Sequence, residues 1–138
     1  MKQTTEQLAK TFAVEVDEAN NFIELKFVSK DVGKENIDIQ SDLISEAILK
    51  VFEQYPEKKD WKVLVDTAST KVHSMSKYSM KNYEELISHD NPKKVAILVD
   101  DTNKQAKIAN FVLGILAKVN KKVSVFTSRA EAEMWLKV

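Results

Sequence analysis

The chain of 138 residues contains no cysteine, two glycines and two prolines. Without cysteine, disulfide bonds and thiolate metal sites are excluded, and the chain needs no oxidising compartment. Two glycines cannot build a glycine-rich loop that cradles a phosphate group. These absences remove disulfide scaffolds, thiolate metal sites and glycine-rich phosphate loops from the function classes open to the chain.

A surplus of charge is also missing, because 21 Lys and Arg residues balance 21 Asp and Glu residues. Nucleic-acid binding favours a basic surplus on one face, so this balance argues against a nucleic-acid partner. No apolar run approaches the roughly 18 residues that span a bilayer. The opening MKQTTEQLAK lacks the apolar core of a signal peptide. We therefore expect a cytoplasmic protein with no membrane span.

What the sequence does contain is an alternation of strand and helix patterns, clearest in its last third. KKVAILVD (93–100) and KKVSVFTS (121–128) predict strands, and residues 102–120 and RAEAEMWL (129–136) predict helices. Both helices begin with a hydroxyl residue followed three positions later by Glu or Gln, the capping-box pattern. The very short turns between these segments indicate an α/β fold with parallel strands.

The composition of the chain is that of one globular domain over residues 11–138. The earlier part of this domain adds a hairpin, a strand and two more helix patterns. The predicted elements are a polar lead-in over 1–10, a β-hairpin of 12–16 and 22–27, a polar loop over Lys30–Asn36, a helix from Ile37 or Ser41 to Tyr55, a strand at 61–66, and a helix from Ser74 or Ser76 to Ile87.

The strand residues predict where the helices lie. A sheet covered by helices on both sides has strands that are apolar on both sides. Here one face is apolar and the other is mixed, and right-handed crossovers place the connecting helices on one side. We therefore predict a mixed five-stranded sheet, an N-terminal hairpin followed by parallel strands, with about four helices mainly on one face. The apolar face carries Trp61, Val63, Val65, Val95, Ile97, Val99, Val123 and Val125, and the mixed face carries Lys62, Leu64, Asp66, Lys94, Ala96, Leu98, Ser124 and Phe126.

Three segments carry a resemblance: Val-Leu-Val-Asp (63–66), Lys-Val-Ala-Ile-Leu-Val (94–99) and the ending Val-Phe-Thr-Ser-Arg-Ala-Glu-Ala-Glu-Met-Trp-Leu (125–136). With the order of elements, they resemble the SpoIIAA-like family of small bacterial proteins. That family belongs to the STAS superfamily and shares its fold with the CRAL-TRIO lipid-transfer domains. The resemblance covers roughly residues 12 to 138. It implies a right-handed βα superhelix and a regulatory or binding module with no turnover.

The resemblance also directs attention to serine residues. Anti-sigma-factor antagonists of the wider superfamily are switched by phosphorylation of a Ser in an Asp-Ser-Ser-Gly-type motif, where a helix starts. Ser74 and Ser76 match that place by position, but the Asp and Gly of the motif are missing. From the residues themselves, Ser69, Ser74 and Ser76 are candidates for a phosphoacceptor or an anion seat, because free N–H groups point outward at a helix start. Ordinary capping is the alternative.

More aromatic and Met side chains follow in this predicted helix than one core-facing stripe needs. They line a pocket for a small apolar, lipid-like ligand, or they belong to the core and its rim. The residues are Met75, Tyr78, Met80 and Tyr83.

The predicted helix over 102–120 is apolar on all sides in its middle, although a helix on one face of a sheet keeps a polar outer side. Gly114 costs this helix about 1 kcal/mol relative to Ala, which close approach of another backbone would offset. Either a neighbouring helix covers the stretch, or it is the contact surface of a homodimer. The candidate dimer residues are Phe111, Leu113, Gly114 and Ile115.

Asp66 and Asp100 each lie at the carboxyl end of a predicted strand, at the edge of the sheet where ligands bind in open α/β folds. They are candidate ligands for Mg²⁺ in a phosphotransfer domain, and turn formation or capping is the alternative. The two histidines, His73 and His89, have no partner in a catalytic pattern.

The sequence therefore predicts a module that is not an enzyme, has no catalytic residue and no cofactor, and acts through a protein partner or self-association. A carrier or sensor of a small apolar ligand is the alternative. A Mg²⁺-dependent phosphotransfer domain is the third interpretation.

Overall fold

A computed structural model describes residues 4–28, 32–67, 76–99 and 122–138. The predicted helix over 102–120 lies outside these residues. None of the described helices is both long and apolar enough to cross a membrane. The described elements are α1 (Thr5–Leu8), β1 (Phe12–Asp17), a 3-10 turn (Glu18–Asn20), β2 (Phe22–Phe27), α2 (Lys34–Gln54), β3 (Trp61–Asp66), α3 (Lys77–Ser88), β4 (Pro92–Leu98), β5 (Val123–Phe126) and α4 (Arg129–Lys137).

The five strands form one sheet in the order β1-β2-β3-β4-β5. β1 and β2 are antiparallel, and the other three neighbouring pairs are parallel. The register aligns Ile23 with Val63, Val63 with Val95, and Val95 with Val123, so one apolar row crosses four strands. The predicted mixed five-stranded α/β sheet, with a hairpin followed by parallel strands, is confirmed.

The larger hydrophobic cluster, called here the main core, lies on the face of the sheet that the sequence marks as apolar. α2 and α3 cover this face, and Trp61 and Ile44 are completely buried between the helices and the sheet. Burying one large apolar side chain contributes about 1.5–3 kcal/mol, so these contacts hold both helices in place. Buried members of the main core include Ile23, Leu25, Phe27, Ile44, Ile48, Phe52, Trp61, Val63, Leu86, Ile87, Val95, Ile97, Val99 and Val123.

The last helix, α4, packs on the opposite face of the sheet. There Ala132 and Leu136 are buried against Leu64, Ala96 and Leu98, and Trp135 packs at the rim of this second cluster. The prediction placed the helices mainly on one face, and α2 and α3 follow it. α4 follows the last strand instead of connecting two strands, so the handedness of crossovers does not constrain it.

α2 begins earlier than predicted. The sequence indicated a polar loop over Lys30–Asn36, but the helix starts at Lys34, after Gly33 with its φ of 92°. Asn36 is almost completely buried, and its side-chain amide donates a 2.8 Å hydrogen bond to the carbonyl oxygen of Val32. Polar residues in a first helical turn carry no apolar period, so the sequence pattern could not locate this start.

The polar lead-in contains one apolar anchor. Leu8, at the end of α1, is completely buried against Val32 and Ile37. Thr4 caps α1 through a capping box with Gln7. The segment before the hairpin therefore packs on the start of α2.

Asn21 joins the hairpin to the segment before β3. It has left-handed backbone angles, φ 54° and ψ 46°. Its side-chain amide donates to Asp60 at 2.7 Å, its side-chain oxygen accepts a hydrogen bond from the Lys58 ammonium, and its backbone carbonyl accepts from the Lys62 amide at 2.8 Å. This one residue makes the turn and connects two strands.

We predict that Asn21→Ala lowers the free energy of unfolding by about 1 kcal/mol more than Asn21→Gly does. Both changes remove the same side-chain hydrogen bonds, whereas only Gly adopts the left-handed backbone without strain. Urea unfolding of the two variants measures the difference. Equal stabilities would mean that the backbone angles of Asn21 carry no cost.

Candidate functional site

A polar seam joins the start of α3 to the first half of α2. Ser76 caps α3: its hydroxyl oxygen accepts a hydrogen bond from the amide of Ser79 at 3.0 Å, and the hydroxyl of Ser79 accepts one from the amide of Ser76 at 2.9 Å. The Ser76 hydroxyl also donates to the Asp38 carboxylate at 2.5 Å. The cap of one helix is thereby fixed to the flank of the other.

The next turn of α3 repeats this arrangement. The Tyr78 hydroxyl donates to the Asp42 carboxylate at 2.7 Å. The Asn82 amide donates to the same Asp42 oxygen at 3.0 Å and to the Ser41 hydroxyl at 2.8 Å. We call the patch formed by Asp38, Asp42, Ser76, Tyr78 and Asn82, with the buried Ser41 beneath it, the α2–α3 surface.

Tyr78 is the most exposed large side chain of this surface, with 47% of it accessible to solvent. Its hydrogen bond to Asp42 stabilises the protonated phenol, which raises the pKa of Tyr78 above its ordinary value of 10. The hydrogen bond thus orients a ring that stays about half exposed. The surface offers a fixed aromatic group beside two carboxylates that have acceptor capacity to spare.

Of the three serines predicted as phosphoacceptors or anion seats, Ser76 belongs to the described residues, and Ser69 and Ser74 lie outside them. Ser76 has the capping role of the alternative interpretation, and its side chain is partly exposed. The carboxylate of Asp38 already lies at its hydroxyl. A phosphate group at this position would face a like charge, which disfavours phosphorylation of Ser76. The interpretation of Ser76 as a phosphoacceptor stays a prediction.

The residues predicted to line an apolar pocket have separate surroundings. Tyr78 belongs to the α2–α3 surface, and Met80 and Tyr83 pack against the main core, where burial raises the pKa of Tyr83. Met75 lies outside the described residues. A groove of about 810 Å³ runs along α3, here called the α3 groove, and Met80 is in its wall. Among the described residues, those that line the groove are Lys77, Met80, Lys81, Glu84, Glu85, Ser88 and His89.

Asp66, a candidate magnesium ligand, lies almost completely buried on the face covered by α4. Arg129, the first residue of α4, makes a bidentate ion pair with Glu24 at 2.6 and 3.1 Å, and its guanidinium lies 3.9 Å from the Asp66 carboxylate. A third carboxylate, Glu133, is 3.3 Å away. The hydrogen bonds to Glu24 raise the pKa of Arg129. We call these four residues the Arg129 cluster.

The positive charge that lies next to Asp66 is therefore the guanidinium of Arg129, at the place where the prediction put a Mg²⁺ ion. In the described ranges no group of three His, Asp or Glu side chains has the geometry to hold a metal ion. Asp100, the second predicted ligand, lies outside those ranges. The predicted Mg²⁺ site stays a prediction.

Of the remaining candidate positions, only His89 belongs to the described residues. The dimer residues Phe111, Leu113, Gly114 and Ile115, and also His73, lie outside the described residues. His89 follows α3, and its ring centroid is 6.0 Å from that of Phe52. The Lys122 ammonium lies at this end of α3 and donates to the carbonyl oxygens of Ile87 and His89 at 3.2 and 2.8 Å.

The carboxylates of the α2–α3 surface and the partners of Asp66 were not among the predicted site residues. Asp38 and Asp42 are four residues apart on α2, a spacing that places both on one side of a helix. From that spacing, the position of both carboxylates on the same side of α2 could have been predicted. Glu24 and Arg129 are 105 positions apart, and no local pattern joins them.

We predict an asymmetry in the Arg129 cluster. Arg129→Ala leaves the buried Glu24 and Asp66 without their guanidinium, and it lowers the free energy of unfolding by about 2–3 kcal/mol. Glu24→Gln leaves Arg129 beside two other carboxylates, and it costs about 1 kcal/mol. Urea unfolding measures both, with the exposed Glu133→Gln, within about 0.5 kcal/mol of the parent, as the control. A larger loss for Glu24→Gln would contradict this account.

We also predict that Asp42→Asn lowers the pKa of Tyr78 towards its ordinary value, because a neutral amide stabilises the phenol less than a carboxylate does. The absorbance of tyrosinate during an alkaline titration measures this pKa, by difference from the same titration of Tyr78→Phe in each background. An unchanged pKa would show that Asp42 does not hold the phenol in solution.

Comparisons with protein-family models, curated proteins and solved structures find no match for this chain.

Proposed function

We propose that the chain is a STAS-like regulatory or binding module that acts through protein contacts, and that the α2–α3 surface receives the partner. Catalytic turnover is no part of this proposal. The observation that carries it is Tyr78, an exposed aromatic side chain whose orientation is fixed by the carboxylate of Asp42.

A fixed tyrosine suits a protein contact for an energetic reason. Ordering a free side chain on binding costs about 0.5–1.5 kcal/mol, and Tyr78 has already lost much of that freedom. Tyrosine is also among the residues that contribute most to binding energy at protein interfaces. Tyr78 therefore offers a large contact area at a small entropic cost.

The charges around Tyr78 indicate the chemistry of the partner. Glu35, Asp38, Asp42 and Glu46 follow one another at helical spacing along α2, and all but the partly buried Asp42 are exposed. Lys77 and Lys81 lie on the groove side of α3. The stripe next to Tyr78 is thus acidic, and a partner surface with Arg or Lys complements it.

The sheet order is consistent with the family that the sequence resembles. An antiparallel hairpin followed by parallel strands, with α2 and α3 on one face, is the arrangement that the SpoIIAA-like resemblance implies. In this reading Ser76 lies at the helix start where the antagonists of that superfamily carry their switch. The sheet order alone does not separate a regulatory module from a carrier, because the family shares its fold with lipid-transfer domains. The preference for a protein partner rests on Tyr78 and the acidic stripe beside it.

A carrier of a small apolar ligand is the second candidate, because the α3 groove has a wall containing Met80. The described wall of the groove also carries the charged side chains of Lys77, Lys81, Glu84 and Glu85, which an apolar ligand does not complement. A phosphotransfer domain centred on Asp66 and Asp100 ranks third, because Arg129 already supplies a positive charge to Asp66.

The proposal predicts position-specific capture of one partner. A photoreactive amino acid at Glu46, exposed on α2 one turn from Asp42, should give a discrete cross-linked protein in the cells that naturally contain this chain. The same amino acid at Met134, which is 68% exposed on α4, is the control and should not give that product.

Tyr78→Ala and Asp42→Ala should each reduce the yield of the cross-link at least several-fold, while circular dichroism confirms that both variants are folded. The proposal fails if the product forms equally from position 134, or if its yield is unaffected by either substitution.

A further inference from the structure

β1 is an edge strand with an incomplete covering. In the described part of the chain it pairs with β2 and with no other strand. Its first three residues are partly buried and its last three are exposed, so that 42% of Val16 is accessible although the residue lies on the apolar face. An exposed apolar edge strand is a template for pairing with another strand.

The hydrogen bonds of the hairpin determine which groups of β1 point outward. The Val28 amide donates to the Thr11 carbonyl at 2.9 Å, and the register aligns Phe12 with Phe27. Since hydrogen-bonded pairs alternate along an antiparallel ladder, the odd-numbered residues of β1 bond to β2. The backbone N–H and C=O groups of Phe12, Val14 and Val16 therefore point away from the sheet.

We propose that β1 pairs with β1 of a second copy of this chain, antiparallel and centred on Val14. In this register Val14 lies opposite Val14 of the other copy, and Phe12 lies opposite Val16. All three outward-pointing residues then form hydrogen-bonded pairs, about six N–H···O bonds in total. The two sheets become one ten-stranded sheet, and the side chain of Phe12 covers the exposed Val16 of the other copy.

The charges at the two ends of the strand favour its own copy as the partner and select this register, because the basic Lys10 lies before β1 and the acidic Asp17 and Glu18 lie at its end. Glu15 lies opposite Ala13, and Asp17 opposite Thr11, so no like charges face each other. Just beyond the strand ends, the exposed Lys10 of one copy comes closest to the exposed Glu18 of the other.

The two neighbouring registers are worse. A shift of two residues in one direction places Glu15 opposite Glu15. The opposite shift places Val16 opposite Lys10, outside the strand, and loses one hydrogen-bonded pair. Of the three registers, only the centred one pairs all the outward backbone groups, covers the exposed Val16 and keeps like charges from lying opposite each other.

This interface is separate from the α2–α3 surface, because β1 is at the edge of the sheet and Tyr78 is on α3. Since the two-fold axis through Val14 is perpendicular to the sheet, it keeps the main-core faces of both copies on the same side. The dimer therefore presents two α2–α3 surfaces in one direction.

Single-cysteine variants test the pairing, because the chain has no cysteine of its own. In the proposed dimer the two copies of residue 14 have Cα atoms about 5.5 Å apart, within disulfide range, whereas the two copies of residue 16 are about 14 Å apart along the strands. Val14→Cys should form a disulfide-linked dimer under mild oxidation, and Val16→Cys should not.

A mixture of Phe12→Cys and Val16→Cys chains should form a mixed dimer, whereas neither chain alone should. Random collision would favour the more exposed position 16. Cross-linking of Val16→Cys as fast as that of Val14→Cys would therefore overturn the proposal, and so would the absence of any cross-link at position 14.

Sedimentation of the unmodified chain provides a readout that does not depend on cysteine. A reversible monomer–dimer equilibrium is expected, and Val14→Pro should abolish it with little change in circular dichroism, because the lost N–H points away from β2. Ala13→Pro is the matched control, since it removes an N–H that bonds to β2 and should destabilise the fold itself. A chain that stays monomeric up to millimolar concentration, or a Val14→Pro variant that still dimerises, would refute the pairing.

Discussion

At the centre of the sheet, the neighbouring residues Val63 and Leu64 of β3 are both buried, one on each face. Because successive side chains of a strand point to opposite faces, this is possible only if both faces of β3 are covered. α2 and α3 cover one face and α4 covers the other. The position of every described helix from α2 onward follows from this two-sided burial.

The two faces differ in how they are held. The main core is almost purely apolar, whereas the second cluster is smaller and is joined by charge: Arg129 binds Glu24 at one end of α4, and the Lys94 ammonium donates to the Trp135 carbonyl at 2.9 Å at the other. Lysine at a helix C-terminus meets the negative end of the helix dipole. Polar contacts at both ends thus fix a helix whose apolar contact area is modest.

On the main-core side, α3 has two different flanks. The flank towards α2 carries the seam of Ser76, Tyr78 and Asn82, in which each side chain has a partner on α2. The other flank is the charged wall of the α3 groove. A contact module needs a surface of defined shape, and the seam provides it, because its hydrogen bonds fix side chains that would otherwise be free.

The parts of the fold that the sequence revealed are those with a local period. The strands were predictable, and the start of α3 was predicted to lie at Ser74 or Ser76, because alternation and capping are properties of neighbouring residues. The early start of α2 was not, since its first turn is polar. Nor was the pairing of Glu24 with Arg129, because only the folded chain brings them together. The side of the sheet taken by α4 was equally hidden, because no crossover rule applies to a helix after the last strand.

The chain has two tryptophans, and the fold places them on opposite faces of the sheet. Trp61 is enclosed in the main core, while Trp135 packs against Phe126 with the Lys94 ammonium 4.9 Å from its ring centroid. Each indole therefore senses one side of the molecule. Intrinsic fluorescence can separate the departure of α4 from its face, which alters the emission of Trp135 alone, from the loss of the whole structure, which alters both.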